Sequence, residues 1–113
     1  MRLTSGIWVS AYVRRAFVEG AFAAVVRRGA EEAGAIFVVV DRLDGTVDLY
    51  GPAPQTAFDD ERPTDRLFSR LGEGIDRLAL QQRLASEMRF DPDVWVVEIE
   101  DRGGRAFLDI APD

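Results

Sequence analysis

The chain has 113 residues, 47% hydrophobic and 30% charged, with a formal net charge of −6. All fourteen basic residues are Arg, and Lys, His, Cys and Asn do not occur. Length and composition predict one globular domain, residues 1–113. They exclude disulfides, thiolate nucleophiles, imidazole bases, lysine Schiff bases and His- or Cys-type metal sites.

In chain order, Ile7 to Glu19 is expected to be a helix, capped by Thr4 or Ser5 and ended by Gly20. Val9, Val13, Ala16 and Phe17 would line its inner face, although Ile7, Val9, Ala11 and Val13 also alternate as in a strand. Two apolar runs follow, Ala21 to Val26 and Ala35 to Val40, joined by a Gly-bounded polar insert that predicts a hairpin. Asp44-Gly45 predicts a second, tighter hairpin into Thr46–Tyr50. Val47 and Leu49 would face inward there, with Asp48 less buried than either.

Gly51-Pro52-Ala53-Pro54 is expected to stop that strand and begin a long loop reaching Asp65. Leu67 to Leu71 reads as a short strand broken by Gly72-Glu73-Gly74. Ile75 to Arg89 reads as a second helix with Leu80, Leu84 and Met88 in one line. Val94 to Glu100 and Ala106 to Ile110 complete the chain as a strand and its return. Early connections this short predict antiparallel pairing. The expected fold is α+β, an antiparallel sheet of four to six strands with two helices packed on it.

Several segments carry a resemblance. They are Ile7-Trp8-Val9 with Arg14-Arg15, then Gly34-Ala35-Ile36, the stretch Arg42-Leu43-Asp44-Gly45-Thr46-Val47-Asp48-Leu49-Tyr50-Gly51-Pro52-Ala53, and Phe90-Asp91-Pro92-Asp93-Val94-Trp95 on to Arg102. Together they are similar to a small, mainly alphaproteobacterial family known as domain of unknown function fourteen-ninety-one. The resemblance covers nearly the whole chain. It implies a stand-alone cytoplasmic protein, and it brings no activity, ligand or catalytic residue.

Read from the residues alone, the candidate sites are few. Asp91, Asp93, Glu98 and Glu100, with Asp101, offer hard oxygen donors suited to Mg²⁺ or Mn²⁺, which would make a carboxylate-dependent hydrolase of phosphate compounds. Roles in a proline turn and on a wet strand face account for the same residues without a metal. Arg14, Arg15, Arg27 and Arg28 could bind an anion, but adjacent residues point apart, so at most one of each pair can join a shared site. Tyr50 and Trp95, with Trp8 and Tyr12, could stack on a base or sugar, or could be core. Gly72-x-Gly74 is a weak phosphate-loop signal without a Lys. No catalytic residue, metal or cofactor is expected.

Residues 1–40 hold five Arg and three Glu, net +2, and the rest of the chain holds nine Arg and seventeen acids, net −8. Such a surface disfavours nucleic acid, and no apolar stretch is long enough for a membrane span. The six consecutive apolar residues Ala35 to Val40 must be covered on both faces. Two helices on one face would leave the other to a second subunit, so a homodimer or an unidentified protein partner is expected. One helix on each face would remove that need. The leading functional expectation is a small non-enzymatic interaction or assembly module in the cytoplasm. The alternatives are the hydrolase and an anion-binding regulatory domain.

Overall fold

A computed structural model describes residues 3–54 and 66–112. Its elements are α1 (Ser5–Val18), β1 (Phe22–Arg27), β2 (Ile36–Asp41), β3 (Val47–Pro52), β4 (Leu67–Ile75), α2 (Arg77–Phe90), β5 (Trp95–Glu100) and β6 (Asp109–Ile110). The strands form one sheet in the order β1-β5-β2-β3-β4-β6. The α+β class and the two helices match the expectation. The sheet is mixed, because β2 runs parallel to β5 and β4 parallel to β6.

The largest departure is at the first expected hairpin. β1 and β2 do not pair; β5 lies between them, antiparallel to β1 and parallel to β2. The glycines taken for a turn make room for this insertion instead. The Asp93 carbonyl accepts from the Ala30 N–H at 2.9 Å, and a Cβ at Gly29 or Gly34 would collide with that carbonyl. Trp95 N–H then donates to the Ala35 carbonyl at 2.7 Å, fixing the parallel register. With neighbours on both sides, β5 has no edge left for a returning strand. Residues 106–108 therefore pack against the α1-side core, and only Asp109–Ile110 rejoins the sheet, beside β4.

The second hairpin forms as expected between β2 and β3. Leu43 and Gly45 take positive φ values at its tip, and the Asp44 carboxylate accepts from the Thr46 N–H and hydroxyl. β3 continues through Gly51 to Pro52, paired with Phe68, rather than stopping at Tyr50. Gly72-Glu73-Gly74 lies within β4, where an irregular register absorbs it. The remainder of the expected loop, residues 55–65, is outside the described residues.

One helix lies on each face of the sheet. α1 buries Val9, Tyr12 and Ala16 against Ile36, Val38, Val40, Val97 and Ile99. Tyr12 takes the inward place assigned to Phe17, which is half exposed at the end of the helix. Thr4 caps α1 by accepting from the Ile7 N–H, and Ser5 is wholly buried, donating to the Gly34 carbonyl at 2.6 Å. On the other face α2 sets Leu80, Leu84 and Met88 against Phe37, Val39, Val47, Leu49, Val94 and Val96. Asp76 caps it through the Ala79 N–H. β2 is thus covered on both sides by its own chain, and the argument that it needs a second subunit falls.

Candidate functional site

The residues singled out in the sequence are spread over several places. Arg14 and Arg15 are in the last turns of α1. β1 runs back along that helix, so Arg27 and Arg28 lie beside its first turn, where Ser5 and Gly6 bond the carbonyls of Glu32 and Glu31. The two Arg pairs sit at opposite ends of one layer and share no site. Arg27 donates to the Pro92 carbonyl at 2.8 Å. Arg28 stands over the Trp95 ring, 5.1 Å from its centroid, and pairs with Glu31 at 3.5 Å.

Trp95 and Tyr50 are core residues, 1% and 2% exposed, which leaves no face for a stacked ligand. The Trp95 indole donates to the Ala30 carbonyl, and the Tyr50 hydroxyl accepts from Arg70. Trp8 stacks on Tyr12 with centroids 4.9 Å apart and packs against Phe68. Burial pushes the Tyr12 phenol far above its ordinary pKa, and its hydroxyl donates to the Ala106 carbonyl at 2.6 Å.

The four acids proposed for a metal do not converge. Asp91 and Asp93 lie in the turn just before β5, where the Asp91 carboxylate accepts from the Asp93 N–H. Glu98 and Glu100 are at its far end. Arg77, the first residue of α2, grips Glu98 with two hydrogen bonds of 2.8 and 2.9 Å and Asp41 with a third of 2.8 Å. These bonds, chiefly those to Glu98, raise the arginine's pKa further. Among the described residues no three metal-type ligands gather. Lone oxygen donors on a guanidinium fork are ion-pair partners, not an open coordination site.

Two carboxylates are held in pairings that the sequence does not reveal: Asp48, expected to be less buried than its neighbours, and Asp101, named among the possible metal donors. Asp48 is wholly buried despite its alternating position; Arg42 holds it at 2.7 and 2.9 Å, and its other oxygen accepts from the Gly74 N–H at 2.8 Å. The Gly-x-Gly segment therefore cradles this carboxylate, through a Gly74 at positive φ, and not a phosphate. Asp101 is 8% exposed and bonds both the Arg105 guanidinium and its backbone N–H, which holds its carboxyl below the usual range. Polar residues near glycines and arginines were the available signal, but their pairing depends on topology.

Two features remain open to a ligand or partner. The first is a pair of adjoining clefts that share Leu3 and Arg66. One of about 490 Å³ lies among Thr4, Gly34, Ala53 and Phe68; the other, about 280 Å³, lies among Trp8, Tyr12, Arg15 and Phe107. Arg66 closes the junction by donating to the Leu3 carbonyl at 2.8 Å. The second is the edge of β1, which has no second strand beside it among the described residues, and where Phe22, Val25 and Val26, with Phe17 and Val18 at the end of α1, are exposed. Phe17 and Phe22 meet edge to face with centroids 5.8 Å apart, joining the helix end to the strand.

The family model described as "Protein of unknown function (DUF1491)" matches residues 3–109. The chain belongs to this family. A crystal structure of a DUF1491 family protein from Caulobacter crescentus CB15 is similar to it at 40% identity and a TM-score of 0.79, with 99% of this chain and 100% of that one covered. An NMR structure of a DUF1491 family protein from the same organism is 39% identical, with a TM-score of 0.77 and 99% of each chain covered. A solution structure of a protein from A. tumefaciens is 50% identical over 88% of this chain and 86% of that one, with a TM-score of 0.78. No curated protein matches the chain. Among the described residues, no helix of this DUF1491 protein is long and apolar enough to cross a membrane.

Proposed function

We propose that this DUF1491 protein is a small non-enzymatic interaction or assembly module of the cytoplasm, which docks a protein strand along β1. The observation that carries the reading is the edge of the α1–β1 unit. A strand with one neighbour presents unpaired N–H and C=O groups, and natural edges are usually blunted with charge, proline or a bulge. β1 has no proline and no charge before Arg27, and its bulge falls only after Val25. Five apolar side chains on and beside it, Phe17, Val18, Phe22, Val25 and Val26, are exposed, and clustered exposed apolar residues mark interaction surfaces. Strand addition uses such an edge, with backbone bonds for affinity and alternate side chains for selection.

A carboxylate-dependent hydrolase lacks comparable support. Asp41, Asp48, Glu98 and Asp101 are each engaged by an arginine. The test of the docking reading is a photoreactive residue placed at position 26 and, separately, at position 78, in an alphaproteobacterial host. Position 26 should give a protein adduct, abolished by Phe22→Asp, and position 78 on the exposed start of α2 should give none. Equal adducts at both positions, or none at 26, would overturn the reading.

A second reading has one observation of its own. Arg15 lines the smaller cleft beside the Trp8–Tyr12 stack and has no ion pair among the described residues. That supports an anion-binding regulatory role. A melting-temperature rise with millimolar inorganic phosphate, lost in Arg15→Ala, is its expected signature; no rise would end it.

A further inference from the structure

We infer that the smaller cleft, between α1 and residues 107–109, is a binding site for a small planar aromatic molecule carrying one carboxylate; this rests on the anion-binding reading above and names its ligand. Two groups that the sequence singles out for separate reasons meet here. Trp8, Ala11 and Arg15 follow one another at intervals of three and four along α1, so they share one side of the helix. Trp8 stacks on Tyr12 with centroids 4.9 Å apart, and the small, exposed Ala11 leaves the floor open between Trp8 and Arg15. Phe107 and Leu108 form the opposite wall. Phe107 holds a φ of 55°, in the left-handed region that a bulky residue avoids. Backbone strain of this kind gathers at ligand clamps, and here it falls on the wall of a cleft that two other aromatic rings already line.

Charge selects among aromatic ligands. The charged residues that line the cleft are Arg15, Arg66 and Asp109. Arg66 is engaged, donating to the Leu3 carbonyl at 2.8 Å. Arg105 lies over the Phe107 ring, 5.0 Å from its centroid, but its guanidinium is taken by Asp101. Arg15 has no ion pair among the described residues, and its charge is near enough to act on the Tyr12 phenol. A guanidinium presents a planar fork that matches a carboxylate through two bonds. Asp109 repels negative charge in the cleft, so a singly charged carboxylate is held better than a doubly charged phosphate. The cleft volume, about 280 Å³, stands at the low end of the roughly 300–1,000 Å³ of ligand sites, which suits a molecule of one or two rings.

Naphthoate is the probe, with naphthylmethanol as its uncharged counterpart and inorganic phosphate as the bare anion. The chain has two Trp, so NMR separates the indole N–H at the cleft from that of Trp95, which is buried and bonded to Ala30. Submillimolar naphthoate should move the Trp8 signal and leave Trp95 in place. Arg15→Gln should weaken naphthoate at least about tenfold, the size of a lost charge-assisted bond, and leave naphthylmethanol unchanged. Arg14→Gln, at the next position round the helix, should change neither. Ala11→Leu should fill the floor and remove both aromatic probes. Ala11, Arg14 and Arg15 are all exposed, so these variants keep the fold. A Trp8 signal that stays still would overturn the aromatic carboxylate, and so would equal losses in Arg14→Gln and Arg15→Gln. Phosphate held through Arg15 with naphthoate bound no tighter would overturn it as well, and leave the anion reading standing. No response to either naphthoate or phosphate would remove both.

Discussion

β1 and β2 begin as near twins in sequence and end in opposite surroundings. Phe22-Ala-Ala-Val-Val and Ile36-Phe-Val-Val-Val are both uninterrupted apolar runs next to a glycine-containing segment. β2 has β5 on one side, β3 on the other and a helix over each face, so its five apolar residues are all buried. β1 has one neighbour among the described residues, and Phe22, Val25 and Val26 stay exposed. An apolar run states that a strand wants cover; where the strand falls in the sheet order decides whether its own chain supplies it. The cover that the sequence demands for β2 comes from its own chain, and the apolar residues left exposed are on β1.

The widest separation between the two strands should come from the same insult. Val38 is fully buried between α1 and the sheet, with no polar partner near it. Val38→Asp should cost more than about 4 kcal/mol, because a buried unpaired carboxylate has no compensating contact. Loss of a cooperative thermal transition is the expected observation. A well-folded variant would mean that the centre of the sheet is much looser than its packing.

Trp95→Ala comes next. This side chain roofs the start of β5 and anchors the insertion between β1 and β2 through its bond to Ala30. Its truncation should cost about 3–5 kcal/mol in urea unfolding. Trp95→Phe should retain much of that, losing chiefly the hydrogen bond, of about 1 kcal/mol. A near-neutral Trp95→Ala would return the residue to the list of ligand contacts.

Much of this architecture was legible from local chemistry. The Thr4 cap, the Asp44-Gly45 tip and the Leu80–Leu84–Met88 line all depend on residues within a few positions of one another, whereas the Asp76 cap was missed because the second helix was expected to begin at Ile75. The insertion of β5 was not legible, because Gly29 and Gly34 make the same sequence signal whether they turn a hairpin or clear space for Asp93. Asp48 was misplaced for a related reason. Alternation predicts which face a residue takes, but both faces of β3 are covered, so the carboxylate is buried wherever it points. The candidate site suffered most. Tyr50 and Trp95 look alike as platform or core until the helices are in place, and the value of β1 as an edge depends on the strand order.

Asp48→Ala tests that buried carboxylate. It would strip partners from Arg42 and from the Gly74 N–H inside the β3–β4 region. A loss of about 2–3 kcal/mol is expected, the size typical of a broken buried hydrogen-bonded group. Asp48→Asn should recover part of it, because the amide oxygen can still accept from Gly74.

A smaller effect, visible only with pH, belongs to Asp101, at the far end of the β5 strand that separates β1 from β2. Its bonds to Arg105 lower its pKa in the folded protein. A depressed carboxyl stabilises the fold at pH values above its unfolded value, near 4, and the contribution disappears as pH falls through the lower folded value. Asp101→Asn should therefore melt below the native protein at pH 6, with the gap narrowing steadily below about pH 4. A gap independent of pH would assign the loss to packing.

The smallest expected effect on stability is the most informative about β1. Val26 is 62% exposed and is the bulged residue beyond the last regular pair with β5. Val26→Asp removes little buried area and leaves the added carboxylate in water, so urea unfolding should shift by no more than about 0.5 kcal/mol. The melting temperature of Val26→Asp should stay within about a degree or two of the native protein's. The same charge that unfolds the molecule at position 38 would change only its company at position 26. A loss above about 1 kcal/mol in Val26→Asp would show that this side chain is packed within the fold and is not presented at the β1 edge.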